Sequence, residues 1–138
     1  MTMEFDVHFN LGLIFTKDLK RVLLHKCSSG KLDGFIQKSD PATIGIVEFT
    51  KEVFQKIDAQ IDPKDWQILT AVSNVEKKWT IDAYLAAYDL DSLKLNDEFI
   101  ICDVDNLPEE CHPNLRWLIP MAIDFTVFGC TFNQILMK

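Results

Sequence analysis

Two glutamates four residues apart are the first candidates for chemistry in this sequence. Glu48 and Glu52 lie in the stretch GKLDGFIQKSDPATIGIVEFTKEVF, which runs from Gly30 to Phe54. On a helix, this spacing places both carboxylates on one face. Like charges so placed destabilise an isolated helix by about 0.2–0.5 kcal/mol, a cost that a bound cation would remove. The pair is a candidate metal site, and the alternative is a solvated helix face shared with Lys51 and Gln55.

Lysines near the glutamates are candidate ligands for phosphate. Lys26 and Lys31 flank a loop, and Lys38 precedes the predicted helix. Each ammonium group can meet a phosphate as a point charge, and each can equally be a solvated surface group. Lys38 is the preferred candidate because backbone N–H groups at a helix start also favour anions.

The aromatic and imidazole side chains give weaker indications. Three tryptophans could stack on a nucleobase or fill the core, and Trp117 is the preferred stacking candidate: Trp66, Trp79 and Trp117. The three histidines are scattered, without the spacing of a metal site or a catalytic triad, which favours structural roles: His8, His25 and His112.

Composition limits the function classes. The chain has 138 residues, a net charge of −7 and a pI of about 4.8. This charge argues against a general binder of nucleic acid polymers, which needs a basic face. An acidic protein that handles phosphates must supply local lysine, arginine or a divalent cation.

Several features predict a cytoplasmic protein without a membrane segment. The four cysteines form no close pair of the zinc-binding kind and suggest no disulfide framework, so we expect free thiols in a reducing compartment. The first residues, MTMEFDVHFN, carry acids where a signal peptide needs positive charge. No stretch approaches the roughly 20 apolar residues of a membrane span.

The elements that must position these residues follow from the apolar pattern. Six strands are predicted, at 7–16, 21–25, 35–38, 67–73, 78–88 and 98–104, and the first two should pair as a hairpin. Residues 26–34 are a predicted loop.

Apolar residues at helical spacing predict a first helix from Ile46, with Phe49, Val53 and Ile57 facing inward. Ser39 or Asp40 is its expected cap, with Pro41 in the first turn.

A second helix is predicted from Pro113, with Leu115, Leu118, Ala122 and Met121 as its inward face. Pro120 should cause a kink or a late start. We expect one domain over residues 1–138. Its apolar tail, 126–138, fits a strand, a helix or a contact in a homo-oligomer.

The order of these elements and their local sequences resemble the Nudix hydrolases from about Phe9 to Phe125. Three passages carry the likeness: VLLHKCSSGKLDGFIQK, WTIDAYLAAYDL and EFIICDVDNLPEECHPNLRWLIPMAID. The last resembles a subgroup found in phages and bacteria. The resemblance implies an α/β (α+β) fold, an α/β/α sandwich around a central mixed sheet.

The signature helix of that family reads Arg-Glu, an apolar residue, any residue, Glu-Glu, any residue, Gly. In this sequence Glu48 and Glu52 match two of the acids, which in the family hold magnesium. The arginine, the other acid and the closing glycine are replaced by Val47, Lys51 and Phe54, and the preceding Gly-Gly by Ile36-Gln37. The motif is degenerate.

The resemblance implies a Mg²⁺- or Mn²⁺-dependent hydrolase of a nucleoside diphosphate linked to another group, with Glu48 and Glu52 as catalytic and metal-binding residues. Lys38, Lys26 and Trp117 are the expected substrate-binding residues. The degenerate motif leaves weak or lost activity open. The alternatives are an inactive nucleotide-binding or protein-interaction module, and an assembly role for the tail.

Overall fold

The computed structural model describes residues 7–39 and 45–128, with side chains as far as residue 126. Its strands are β1 (Val7–Phe15), β2 (Arg21–Lys26), β3 (Leu32–Asp33), β4 (Phe35–Ser39), β5 (Gln67–Asn74), β6 (Trp79–Ala87) and β7 (Phe99–Asp103). Its helices are α1 (Ile46–Ile57) and α2 (Leu115–Phe128), and single 3-10 turns span Pro63–Asp65 and Leu90–Ser92. The six predicted strands are present, and β3 falls within the predicted loop.

One mixed sheet is built around β1. Strand β1 runs parallel to β6 along its whole length, and β5 pairs antiparallel with the far side of β6. On its other side β1 pairs antiparallel with β4 and, at Phe15 and Val22, with β2. Strand β2 also pairs with β3 and β7. The nearly continuous apolar sequence of β1 is typical of a strand covered on both faces.

The two faces of the sheet carry separate apolar clusters. Leu11 and Leu13 of β1 pack in a cluster with the buried residues of α2. Ile14 points the other way and packs in a second cluster with the buried residues of α1. The helices therefore cover opposite faces, which confirms the predicted α/β/α sandwich with a central mixed sheet.

Helix α1 lies close against β1. Its buried residues are Phe49, Val53 and Ile57, as the apolar spacing predicts. A Cβ atom at Gly12 would lie 2.8 Å from Cζ of Phe49 and 3.0 Å from Cη2 of Trp66. Glycine at this strand position therefore allows the close approach that sets the height of α1 above the sheet.

The predicted cap of α1 is wrong for Ser39. That residue ends β4, and its Oγ lies 2.7 Å from Nδ1 of His8. The N-cap is Gly45, without a side-chain cap hydrogen bond. Asp40 and Pro41 lie outside the described residues.

Helix α2 begins at Leu115, five residues before Pro120, so the proline does not delay its start. Leu115, Leu118 and Ala122 are buried as predicted. Ile119 is also buried, whereas Met121 is half-buried. Of the predicted tail, residues 126–128 belong to α2 and the rest lies outside the described part. No helix in the described ranges is long and apolar enough to cross a membrane.

Candidate functional site

A cavity of about 290 Å³ lies between α1 and the neighbouring ends of β2, β4 and β7. Residues from all four elements form its walls: His25, Phe35, Ile36, Gln37, Lys38, Glu52, Lys56 and Phe99. Two of the five predicted site residues, Lys38 and Glu52, therefore lie at one cavity.

Stacked aromatic rings form part of the cavity wall. The rings of Phe35 and Phe99 are nearly parallel, at 13°, with centroids 5.9 Å apart. The imidazole of His25 stacks on Phe99 at 4.8 Å, and the two residues are partners across β2 and β7. Both phenylalanines are buried, so this wall is apolar. Charged ligand groups must bind to the charged side chains around it.

Those charged side chains are Glu52 and Lys56, which are four residues apart on α1 and share one helix face. Lys38 of β4 also borders the cavity, but it alternates with Gln37 and Ser39, so its side chain projects from the opposite face of the sheet. Glu52 is half-buried and Lys56 is exposed. The described residues of the cavity thus present one ammonium group and one carboxylate to a ligand.

Glu48 does not line this cavity. It is exposed, and Nζ of Lys51 lies 3.3 Å from its Oε1. Lys51 stands where the resemblance expects a third acid, and here it pairs with an acid of the expected site. The predicted pair of carboxylates is therefore divided between a cavity residue, Glu52, and a surface ion pair.

Lys26 and Trp117 also lie away from the cavity. Lys26 follows His25 along β2, so its side chain projects from the opposite face of the sheet. Trp117 lies on α2, which covers the face opposite α1, and 41% of the residue is exposed. The structure does not bring these two residues together with Glu52.

The sequence does not single out Lys56, Gln37 or the two phenylalanines, and it favours a structural role for His25. A signal existed for Lys56, which lies four residues after Glu52 and must share its helix face. No sequence pattern indicated that His25, Phe35 and Phe99 meet. Their contact depends on the pairing of β2 with β7 and on the packing of α1.

A row of polar side chains on the sheet continues from the cavity. Asn10 is fully buried, and its Nδ2 donates to Oε1 of Gln37 at 3.0 Å. Its Oδ1 has no hydrogen-bond partner. Next to it, Nε2 of His8 lies 2.7 Å from Oδ2 of Asp82. Gln37 belongs both to this polar row and to the cavity wall. Its hydrogen bond with Asn10 therefore holds one wall residue in place.

A buried carboxyl lies next to His25, one residue of the cavity wall. Asp33 is 8% exposed and pairs with His25 across β3 and β2. Burial raises the pKa of the Asp33 carboxyl, and the raise is opposed by the backbone N–H of Gly34, 2.8 Å from Oδ1, and by His112 and His25. Ionised Asp33 is therefore disfavoured by the fold.

The donor set decides which metal the site could hold. No group of three or more His, Cys, Asp or Glu side chains within residues 7–39 and 45–128 is arranged to hold an ion. Among the described residues that line the cavity, Glu52 is the one carboxylate. These residues do not fit a resident cluster of several metal ions. A single Mg²⁺ or Mn²⁺ would be held by Glu52 together with phosphate oxygens of a ligand.

Comparison with known proteins addresses the fold. No protein-family profile matches the sequence, and no curated protein matches it. Solved structures do match this chain.

The C-terminal domain of mouse MUTYH, solved with human PCNA, is 12% identical with a TM-score of 0.69, over 88% of this chain and 90% of that one. A C. elegans Ap4A hydrolase in a binary complex is 14% identical with a TM-score of 0.65, over 88% and 98%. A NUDIX-family hydrolase from Clostridium perfringens is 9% identical with a TM-score of 0.65, over 91% and 99%. At such low identity the likeness establishes the fold, and the chain has a Nudix-like fold.

Proposed function

We propose that the protein binds the diphosphate group of a nucleotide-type small molecule in this cavity and hydrolyses it with Mg²⁺ or Mn²⁺. The observation that carries the proposal is the cavity at which Glu52 and Lys56 of α1 lie beside one aromatic wall. The Nudix-like fold, shared with an Ap4A hydrolase and a NUDIX-family hydrolase, supports hydrolysis as the reaction class.

Each side chain has a distinct task in this proposal. Lys56 binds a phosphate oxygen as a point charge. Glu52 holds the metal ion together with the ligand. The bound ion would neutralise charge on the phosphoryl oxygens and lower the pKa of a water molecule. The apolar wall of Phe35 and Phe99 limits access of other water molecules to the reacting group.

A turnover assay on matched variants tests the hydrolase. We expect slow release of phosphate or pyrophosphate from at least one nucleoside diphosphate derivative in the presence of Mg²⁺ or Mn²⁺. Glu52→Gln should lower the rate by about 100-fold, because a metal ion contributes several kcal/mol of transition-state stabilisation. Glu48→Gln should cost less, since Lys51 already pairs with that carboxylate. A wild-type rate in Glu52→Gln, or no turnover of any nucleotide by the wild type, would contradict the proposal.

A second candidate function is binding without turnover. The ion pair between Lys51 and Glu48, together with the small set of metal ligands in the described residues, favours it. The MUTYH domain, solved with PCNA, has a similar fold and supports the version in which such a module contacts a protein. This candidate predicts ligand binding without hydrolysis by the wild type. Turnover that appears only in Lys51→Glu, which restores the third acid, would support it over the first.

A further inference from the structure

We infer that two copies of this chain associate through strand β5, whose outer edge pairs antiparallel with the β5 edge of the second copy. The inference goes beyond the proposed function and does not depend on the cavity. It assigns an interaction surface to the edge of the sheet that lies beyond β6.

The position of β5 in the sheet gives the first step. Strand β5 is the last strand on its side of the sheet, and among the described residues it pairs with β6 alone. The backbone N–H and C=O groups along its other edge therefore have no strand partner within those residues. The strand is eight residues long, and none of its residues is buried. Such an edge is a template for a further strand.

The sequence of β5 lacks the features that usually protect an edge strand. QILTAVSN contains no charged residue and no proline, whereas proteins commonly place lysine or proline on exposed edges. Other marginal strands differ, because β4 contains Lys38, β7 ends at Asp103 and β3 has only two residues. The bulge in β5 lies between Ile68 and Thr70, so the rest of the strand keeps a regular register with β6. Strand β5 therefore offers the longest uncharged edge of the described sheet.

Exposed apolar side chains lie near both ends of β5. Ile68 is 73% exposed, and Val75, directly after the strand, is 58% exposed. Antiparallel pairing brings Ile68 of one copy towards Val75 of the partner subunit, and two-fold symmetry makes this contact twice. Burial of these side chains adds a hydrophobic contribution to the backbone hydrogen bonds.

The charges that flank β5 identify the partner as a second copy and set its direction. The segment before the strand has a net charge of −1 and the segment after it has +1, from Asp62, Lys64 and Asp65 and from Glu76, Lys77 and Lys78. All six residues are exposed. Antiparallel pairing places the negative segment of each copy beside the positive segment of the other, whereas parallel pairing would bring like charges together. The edge is therefore self-complementary, as a closed two-fold dimer requires.

Analytical ultracentrifugation of the full chain at about 1 to 500 µM tests the inference, because a small interface gives weak association. We expect a reversible monomer–dimer equilibrium in the wild type. Ile68→Lys should raise the dissociation constant by about tenfold or more, since each dimer loses two apolar contacts and gains two charges beside positive segments. Ile100→Lys is the matched control: Ile100 is 46% exposed on β7, and its replacement should leave the dissociation constant unchanged.

Charge reversal separates this dimer from other modes of association. Asp65→Lys and Lys77→Glu should each raise the dissociation constant by about threefold to tenfold, and the double variant should return it close to the wild-type value. Circular dichroism checks that each variant is folded. A wild type that stays monomeric throughout the concentration range overturns the inference, as does a dimer that Ile68→Lys weakens no more than Ile100→Lys does. Additive losses in the double charge reversal overturn it as well.

Discussion

At the scale of single residues, helix α1 shows how one lysine in place of an acid changes the interactions of its neighbours. The resemblance implies that Glu48 and Glu52 act together on a metal ion. Here Lys51 pairs with Glu48 at 3.3 Å, and Lys56 joins Glu52 at the cavity wall. A helix face that the resemblance assigns to metal binding therefore carries two ammonium groups beside its two carboxylates.

Asp33 allows a prediction about pH and stability. Its raised pKa means that the unfolded chain loses this proton at a lower pH than the folded chain does. The resulting destabilisation is absent below the unfolded pKa, near pH 4, grows as the pH rises through the folded pKa and is complete above it. Asp33→Asn should therefore stabilise the protein at about pH 7, on the order of 1 kcal/mol, and have little effect at about pH 3.5.

Urea unfolding across this pH range measures the effect. The backbone N–H of Gly34 keeps an acceptor in the asparagine variant, since the amide oxygen can replace Oδ1. Asp97→Asn, at an exposed position, is the control and should show no such pH-dependent gain. An equal effect of Asp33→Asn at both pH values would contradict the role assigned to ionised Asp33.

At the scale of elements, the contact between α1 and β1 sets the geometry of the cavity. Gly12→Ala would place a Cβ atom 2.8 Å from Cζ of Phe49, closer than a packed core accepts. We expect a loss of about 1–3 kcal/mol in the free energy of unfolding, the usual cost of overpacking.

A double-mutant cycle with Phe49→Leu checks the cause of that loss. The smaller side chain should recover part of the loss in Gly12→Ala, giving a favourable coupling of about 0.5 kcal/mol or more. Additive losses in the cycle would show that the cost arises elsewhere, for example from the change in strand backbone freedom at Gly12.

Strong periodic patterns made the helices and the longer strands predictable from the sequence. Very short strands and helix caps were harder to predict because their local sequences fit more than one structure. The apolar spacing of Phe49, Val53 and Ile57 gave the buried face of α1 correctly. Strand β3 has two residues, too few for any pattern, and its existence depends on pairing with β2. The cap prediction for Ser39 failed because polar residues before a helix fit a strand end equally well. There Ser39 meets His8, 31 residues away in the chain.

At the scale of the whole molecule, the site combines parts that are distant in sequence. The cavity takes residues from β2, β4, α1 and β7, so the cavity forms only when these elements are assembled. This explains why the sequence supplied Glu52 as a candidate but not the aromatic wall beside it. It also connects ligand binding to the stability of the entire fold, because the unfolded chain cannot form the wall.

This connection gives a prediction for thermal unfolding. A ligand at 100 times its dissociation constant stabilises the native state by about 2.7 kcal/mol, which for a domain of this size raises the melting temperature by about 5–10 °C. We expect a nucleoside diphosphate with Mg²⁺ to produce such a shift in the wild type and a smaller one in Glu52→Gln at the same concentration. Lys56→Met should reduce the shift, and Lys20→Met, at an exposed position in the turn before β2, should not. No shift in the wild type with any nucleotide and Mg²⁺ would contradict binding at this cavity.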